Sequence, residues 1–421
     1  MSRERIETDQ AFFAERNARR AAGGRRSLGR ARALAPHLGV DLDDWRAHPE
    51  RVVTVVGSKG KGTAATFASA ALAAAGLRVG TLTSPGLRSN RERIRVDGAA
   101  ISRRDYEALV AEVAAIAVRV AEQLPDDGYL SPSGLFTLSA LRHFAGRGCD
   151  AVVLEAGMGG ASDEVALVSP GVVAVTGVLA EHLGILGDSV AAIAREKAGV
   201  ISNATRDVVV ADQDDPAAAA AIAAAAAAHG CRHHRAGGAD TAAAVRAAAA
   251  QAAPGLGSGN ADLGVRAAML LLDLAGRPVP RPDALVAALR SVRLPGRLSR
   301  HKRGDQDWII DCATNPAAIA AAIAHTTATV GPPTSVLTFA PRHRDPAPLL
   351  DALRGQPVVP VPAAGPSRDG PGRGTALRLE AVDLDALGPR VLALGPVYFA
   401  GELLATLGVD CERSFSVARR R

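Results

Sequence analysis

Apolar and polar positions along this 421-residue chain switch repeatedly between short strand-like runs and longer helix-like ones. Val52–Val56 is β-branched and almost wholly apolar, as a strand buried on both faces must be. The alanine-rich stretch from Ala64 to Ala75 reads as the helix that follows it. Further strand-like runs are "RVGTLTS", "DAVVLEAG", "GVVAVTGV" and "RDVVVAD", separated by alanine- and leucine-rich stretches. This alternation predicts an α/β fold with a mainly parallel sheet and helices on both faces. The segment "DPAAAAAIAAAAAAHG" is low in complexity but a strong helix former, and is read as structure.

Near "SVRLPGRLSRHKRGDQ" proline, glycine and charge interrupt the apolar pattern. Beyond it a shorter alternation runs through "DWIIDCATNP", "TSVLTFAP", "QPVVPVP" and "RVLALGPVYFAGELLATLG". The length also exceeds that of a usual single core, so two domains are expected. Residues 1–296 would form the larger and 297–421 a smaller α/β domain with a Rossmann-like sheet, with a cleft between them.

A hydrophobic fraction of 48% is ample for buried cores, and no apolar run is long enough to cross a bilayer. The start, "MSRERIETDQAFFAERNARR", is charged and lacks the apolar centre of a secretory signal, so a cytoplasmic location is expected. The net charge is +6, concentrated in groups such as "RSLGRARAL", "SRHKRG" and "ARRR". Aromatic residues make up only 3% of the chain, which speaks against nucleic acid and for anionic small molecules. Cys149, Cys231, Cys312 and Cys411 are scattered and expected to be reduced. "HGCRHH", with His229, Cys231, His233 and His234, has no second ligand pair nearby and reads as a solvated loop rather than a zinc site.

Candidate chemistry begins at "VVGSKGKGT". A strand, a glycine-rich turn and a helix start surround one small space with backbone N–H groups and the ammonium of Lys61, which suits a polyphosphate. Thr63 adds a hydroxyl. Val55 stands where the general phosphate-loop pattern has its first glycine, so the match is to a shortened variant. Other strand ends offer Ser84 in "TLTSPG", Glu155 in "VVLEAGMGG", His182 in "VLAEHLGILG" and Lys197 in "AREKAGVIS". A buried carboxylate such as Glu155 needs a cation or donors. Taken singly, Ser84 reads rather as a turn cap, His182 as a hydrogen-bonded loop residue and Lys197 as an exposed helix position.

Order and spacing together resemble the folylpolyglutamate synthase and dihydrofolate synthase family, which belongs with the Mur ligases. The resemblance runs through "SLGRARALAPHLGV", "VVGSKGKGT", "TSPGLRSNRERIRVDGAAIS", "LEAGMGG", "LGDSVAAIAREKAGVI", "LPGRL", "IIDCATNP" and "LALGPVYFAGE", nearly the whole chain. It implies an ATP-dependent ligase, expected to be a monomer, that activates a carboxylate as an acyl phosphate and transfers it to an amine. ATP would be held by Gly57, Ser58, Lys59, Gly60, Lys61, Gly62, Thr63, Arg297, Asp311 and Asn315. Magnesium, as two ions, would be held by Ser84, Glu155, His182 and Lys197, the last carbamylated. Lys61, Glu155, His182 and Lys197 would be the catalytic set, and Arg93 and Thr314 would lie on the substrate side.

The departures from the family pattern cluster on that substrate side. Thr314 replaces a histidine and Pro396 a serine near the incoming amino acid, while Arg93 is retained. Ser133 and Gly134 replace a Phe-Glu pair, Gly86 replaces a histidine, and "GGASDEVA" keeps only Asp163 of its usual polar run. Lys59 stands where asparagine is usual. With the ATP and metal groups retained, these changes suggest substrates other than folate and glutamate in a specialised pathway. Ordinary folate glutamylation is the runner-up, and an ATP-binding regulatory protein without turnover a third reading.

Overall fold

The computed structural model describes residues 11–21, 24–237, 243–255, 257–339, 347–362 and 377–417. Residues 1–10, part of the leader reading, and the basic residues 418–421 lie outside the described residues.

The first sheet contains β1 (Val52–Val56), β2 (Val79–Leu82), β3 (Ile94–Val96), β4 (Ala99–Ala100), β5 (Ala151–Glu155), β6 (Val172–Val175), β7 (Asp207–Val210) and β8 (Arg232–Arg235). Their order is β4-β3-β2-β5-β1-β6-β7-β8, parallel except for the β2-β3-β4 meander. β1 is buried along its whole length, which fits its apolar sequence and its central place. Val55 pairs with both Glu155 and Ala174, so β1, β5 and β6 end level and their loops open onto one edge.

The helix after β1 spans Lys61–Ala74, three residues earlier than its apolar pattern suggests, because Gly60 turns the chain into it with φ 84°. Helix Gly257–Leu274 packs directly on it. A Cβ at Gly264 would stand 2.1 Å from the Ala64 carbonyl oxygen, so the two backbones touch.

The second sheet contains β9 (Ser299–Arg303), β10 (Gln306–Asp311), β11 (Ser335–Thr338), β12 (Val358–Pro360) and β13 (Arg390–Leu394). Its order is β12-β11-β13-β10-β9, parallel except for the β9-β10 hairpin. Trp308, Phe339, Phe399 and Leu403 fill the core on one of its faces. No helix among the described residues is long and apolar enough to cross a membrane.

Two polar stretches differ from their sequence reading. Arg232–Arg235, expected within a solvated loop, is the edge strand β8, paired in parallel with β7. Arg232 and His234 both reach the fully buried Asp207, at 2.8 and 2.6 Å, so the edge is fixed by charge rather than by apolar alternation. Likewise "SRHKR", read as a break, is β9, whose Arg300 and Lys302 bind Asp307 on the neighbouring strand. Among the described residues no three His, Cys, Asp or Glu side chains converge as a metal cluster.

Candidate active site at the ends of the parallel strands

The turn Gly57–Gly60 is shaped by what surrounds it. Gly57 has φ 132°, and a Cβ there would lie 2.0 Å from Thr176 Oγ1. At Gly60 a Cβ would lie 2.1 Å from Asn260 Nδ2 on the helix Gly257–Leu274. Backbone this crowded and left-handed admits only glycine. Ser58 is buried and ties the turn to the next loop, its N–H donating to Gly177 O at 3.0 Å and its Oγ accepting from Leu179 N at 2.9 Å. Lys61 folds back over the turn, donating to Gly57 O at 2.9 Å and Ser58 O at 3.3 Å.

Glu155, the last residue of β5, faces the start of the same helix. A Cβ at Gly62 would be 3.3 Å from its Oε2, and that oxygen accepts the Ser84 N–H at 2.8 Å. Burial pushes the Glu155 carboxyl up, opposed by Lys61, the Ser84 N–H, Arg297 and Arg93. Ser84, which precedes a cis Pro85, accepts a hydrogen bond from Arg93 Nη1 at 2.9 Å through its hydroxyl. The Arg93 guanidinium lies 4.6 Å from the centre of the Phe136 ring, a cation–π contact that holds it over the site. Thr63 is buried in the first turn of the helix. Ser84, Arg93 and the helix start at Lys61–Gly62 thus lie together around Glu155.

Lys197, in helix Val190–Ala198, is fully buried rather than on an exposed helix face. Its Nζ donates to Gly57 O at 2.8 Å and Met158 O at 3.0 Å and lies 3.5 Å from Glu181. Burial, then Lys61, lowers its pKa to about 8, with Glu181 opposing. Glu181 also lies 3.7 Å from the exposed Lys59, so it bridges two lysines. His182, beside it, adopts φ 54° and is exposed in the loop after β6.

From the second sheet, Arg297 acts electrostatically on both Glu155 and Asp311. Burial pushes the Asp311 carboxyl up, while Arg297 and the Leu298 N–H, 2.8 Å away, hold it down. Asn315 serves as a helix cap, its side-chain oxygen accepting from Ala318 N at 2.9 Å. Thr314 is exposed in the same loop, and Pro396 caps the helix Val397–Thr406.

Sequence reasoning missed three contributors. Asn260 is some 200 positions from the turn it covers, an order of separation with no local signal. Glu181 sits beside His182 in the loop after β6, where a lone carboxylate carries no local signal of the two lysines it meets. Glu164 fills the space above Gly134, where a Cβ would be 2.2 Å from its Oε1, and it accepts from Ser131 Oγ at 2.7 Å. Arg26 pairs with Glu164 and, at 3.1 Å, with Asp163. A carboxylate thus occupies the place next to Gly134 even though the helix supplies none.

The donor set suits a nucleotide with magnesium. Glu155 and the hydroxyls of Ser84 and Thr63 are hard oxygen donors beside a helix start, and magnesium shares such protein oxygens with phosphate. Lys61, Arg93 and Arg297 all act on Glu155, Arg297 being shared with Asp311, and this basic lining suits an anion.

Residues 55–260 match the Mur ligase middle domain. A probable bifunctional folylpolyglutamate synthase/dihydropteroate synthase of Haloferax volcanii is 41% identical over 165 residues, covering 39% of this chain and 18% of that protein. The dihydrofolate synthase/folylpolyglutamate synthase of Bacillus subtilis is 34% identical over 197 residues, covering 45% and 43%. The chain spans less than half the length of these curated relatives. A solved FPGS–AMPPCP complex superposes with a TM-score of 0.74 at 25% identity, over 92% of this chain and 97% of the other. The apo form of L. casei FPGS, at 24% identity, shares the fold over 96% of this chain and 99% of its own, with a TM-score of 0.75. Residues 55–260 thus match the Mur ligase middle domain, and in that region and in its architecture the chain is similar to folylpolyglutamate synthase/dihydrofolate synthase proteins.

Proposed function

We propose that this chain is an ATP-dependent ligase that joins a carboxylic acid to an amine as an amide, releasing ADP and phosphate. The observation that carries the reading is that the Gly57–Gly60 turn, the helix start at Lys61 and the Arg93–Ser84 pair converge on the buried carboxylate of Glu155. Such a site fits two anionic reactants at once, a triphosphate and an acid. Lys61 and the helix start would hold the phosphates, and Arg93 would draw the acid toward the γ-phosphorus. Attack by the acid oxygen expels ADP and leaves an acyl phosphate; attack by the amine at its carbonyl carbon then expels phosphate. Magnesium, held by Ser84, Glu155 and His182, would neutralise charge on the phosphates. Lys197, whose depressed pKa of about 8 leaves more free amine than an ordinary lysine, would serve as a carbamate ligand. Residues 1–296 and 297–421 would close as two domains over the acyl phosphate and keep water from it.

The names of the relatives support a folate-type acid and glutamate as the pair. A second reading, another acid or amine in a specialised pathway, is favoured by Thr314, Pro396 and Gly86. Gly134 argues for it less, because Glu164 brings a carboxylate to the same place. The test is an ADP-release screen pairing dihydropteroate or a reduced folate with glutamate, beside a panel of other acids and amines. Turnover of the folate pair assigns the first reading, and turnover of a different pair alone assigns the second. Release of AMP and pyrophosphate would overturn the acyl-phosphate route.

A further inference from the structure

We propose that Phe12 is a positioning residue for the site, fixing the Arg93 guanidinium beside Ser84 through the ring of Phe136. The proposal deepens the ligase reading of the same site, and only its kinetic arm rests on that reading.

Arg93 ends the short helical turn Asn90–Arg93. Its Nε donates to Asn90 Oδ1 at 2.6 Å and its Nη1 to Ser84 Oγ at 2.9 Å. Hydrogen bonds to a guanidinium run in the plane of the group, so these two locate it laterally. Its tilt is set by what meets its face, and there the centre of the Phe136 ring lies 4.6 Å from the guanidinium carbon. The negative ring face attracts the cation, and the attraction depends on that face pointing at the charge.

A phenylalanine has a broad two-fold preference for the rotation of its ring, so a neighbour must decide where the face points. For Phe136, buried in helix Pro132–Gly146, that neighbour is Phe12. The ring centres are 4.9 Å apart and the planes meet at 64°, the edge-to-face arrangement that aromatic pairs favour. Both rings belong to the same buried cluster of the first sheet.

The segment that carries Phe12 is itself fixed to the chain leading into that helix. Glu15, in helix Ala14–Ala21, brings its Oε1 to 2.8 Å from Arg30 Nε and accepts Leu130 N at 3.2 Å. Arg19 Nη1 donates to Gly128 O at 3.0 Å, and Arg30 Nη1, fully buried, to Pro125 O at 2.6 Å. Ser27 N donates to Tyr129 O at 3.0 Å and Tyr129 N to Arg25 O at 2.8 Å. Residues 125–131, which run directly into the helix bearing Phe136, are thus held by the same segment that bears Phe12. The two rings are set against each other from both sides. Without the Phe12 ring, Phe136 gains room to turn, and Arg93 must be ordered again when an acid binds, a cost that lowers affinity.

The test uses the full chain with Phe12→Leu, with Phe136→Leu, and with a trifluorinated phenylalanine at position 136, which fills the core alike but has a weakened negative face. The Arg93 Nε–H resonance, identified by its loss in Arg93→Lys, reports the ring current of Phe136. It should shift in both leucine variants, more in Phe136→Leu, although Phe12→Leu leaves the ring beside Arg93 in place. For an acid that turns over, KM should rise about threefold in Phe12→Leu and about threefold to tenfold with the fluorinated ring. The kcat and the KM for ATP should stay within about twofold, a split that a general loss of structure does not give. An unmoved Arg93 resonance in folded Phe12→Leu overturns the proposal, as does a change spread evenly over the first sheet. An acid KM unaltered by fluorination overturns it as well. The resonance is read without substrate, so this proposal and the ligase reading fail separately.

Discussion

Replacing Lys197 by methionine isolates the protonation of a buried amine at the centre of the site. The side chain is fully buried, donates to two backbone carbonyls at 2.8 and 3.0 Å, and has a pKa lowered from 10.5 to about 8. In the unfolded chain the amine keeps its proton until pH approaches 10.5, whereas the folded chain releases it near 8. Between those values the unfolded state binds more protons, so folding stability rises with pH; below about 8 both states are protonated and this contribution is flat. A depression of that size corresponds to about 3 kcal/mol over the full window. Methionine is likewise unbranched, one atom shorter, and does not titrate. The unfolding free energy of the wild type minus that of Lys197→Met, from urea denaturation in carbon dioxide-free buffer, should therefore grow by about 3 kcal/mol from neutral pH to the upper end of the window. Two pH curves that stay parallel within about 0.5 kcal/mol would refute the reasoning. Added ¹³C-bicarbonate should then give a carbamate NMR resonance in the wild type and none in Lys197→Met.

Gly60→Ala introduces a Cβ 2.1 Å from Asn260 Nδ2 at φ 84°, so thermal denaturation should show a loss of about 1–3 kcal/mol. Combining it with Asn260→Ala should recover the steric part but not the backbone part. Lys61→Ala should lower kcat for ADP release by about a hundredfold or more, and an unchanged kcat would remove Lys61 from the phosphate site. Glu164→Ala should cost about 3 kcal/mol by leaving Arg26 and Ser131 short of a partner, measured by urea denaturation. Adding Gly134→Glu to that variant should restore part of the loss, whereas Gly134→Glu alone should destabilise because Glu164 already fills the space.

The sequence by itself determined the alternation of buried strands and helices, because β1 is apolar at every position but Thr54 and such a run fits only the middle of a covered sheet. It also determined the turn Gly57–Gly60 and its helix, since glycine and lysine there answer to local backbone geometry. Glu155 and Ser84 could be picked out as polar ends of apolar strands. Polar edge strands were not legible: β8 and β9 are held by Asp207 and Asp307, partners supplied by β7 and β10, and carry no period of their own. The burial of Lys197 was equally hidden, because the carbonyls that hold it come from Gly57 and Met158 on other elements. Asn260 over Gly60, Glu164 over Gly134 and Cys411–Glu412 on Arg95 are contacts between segments far apart in the chain. Local propensity and periodicity encode how each segment folds; which distant side chain closes over it is decided only when the layers pack.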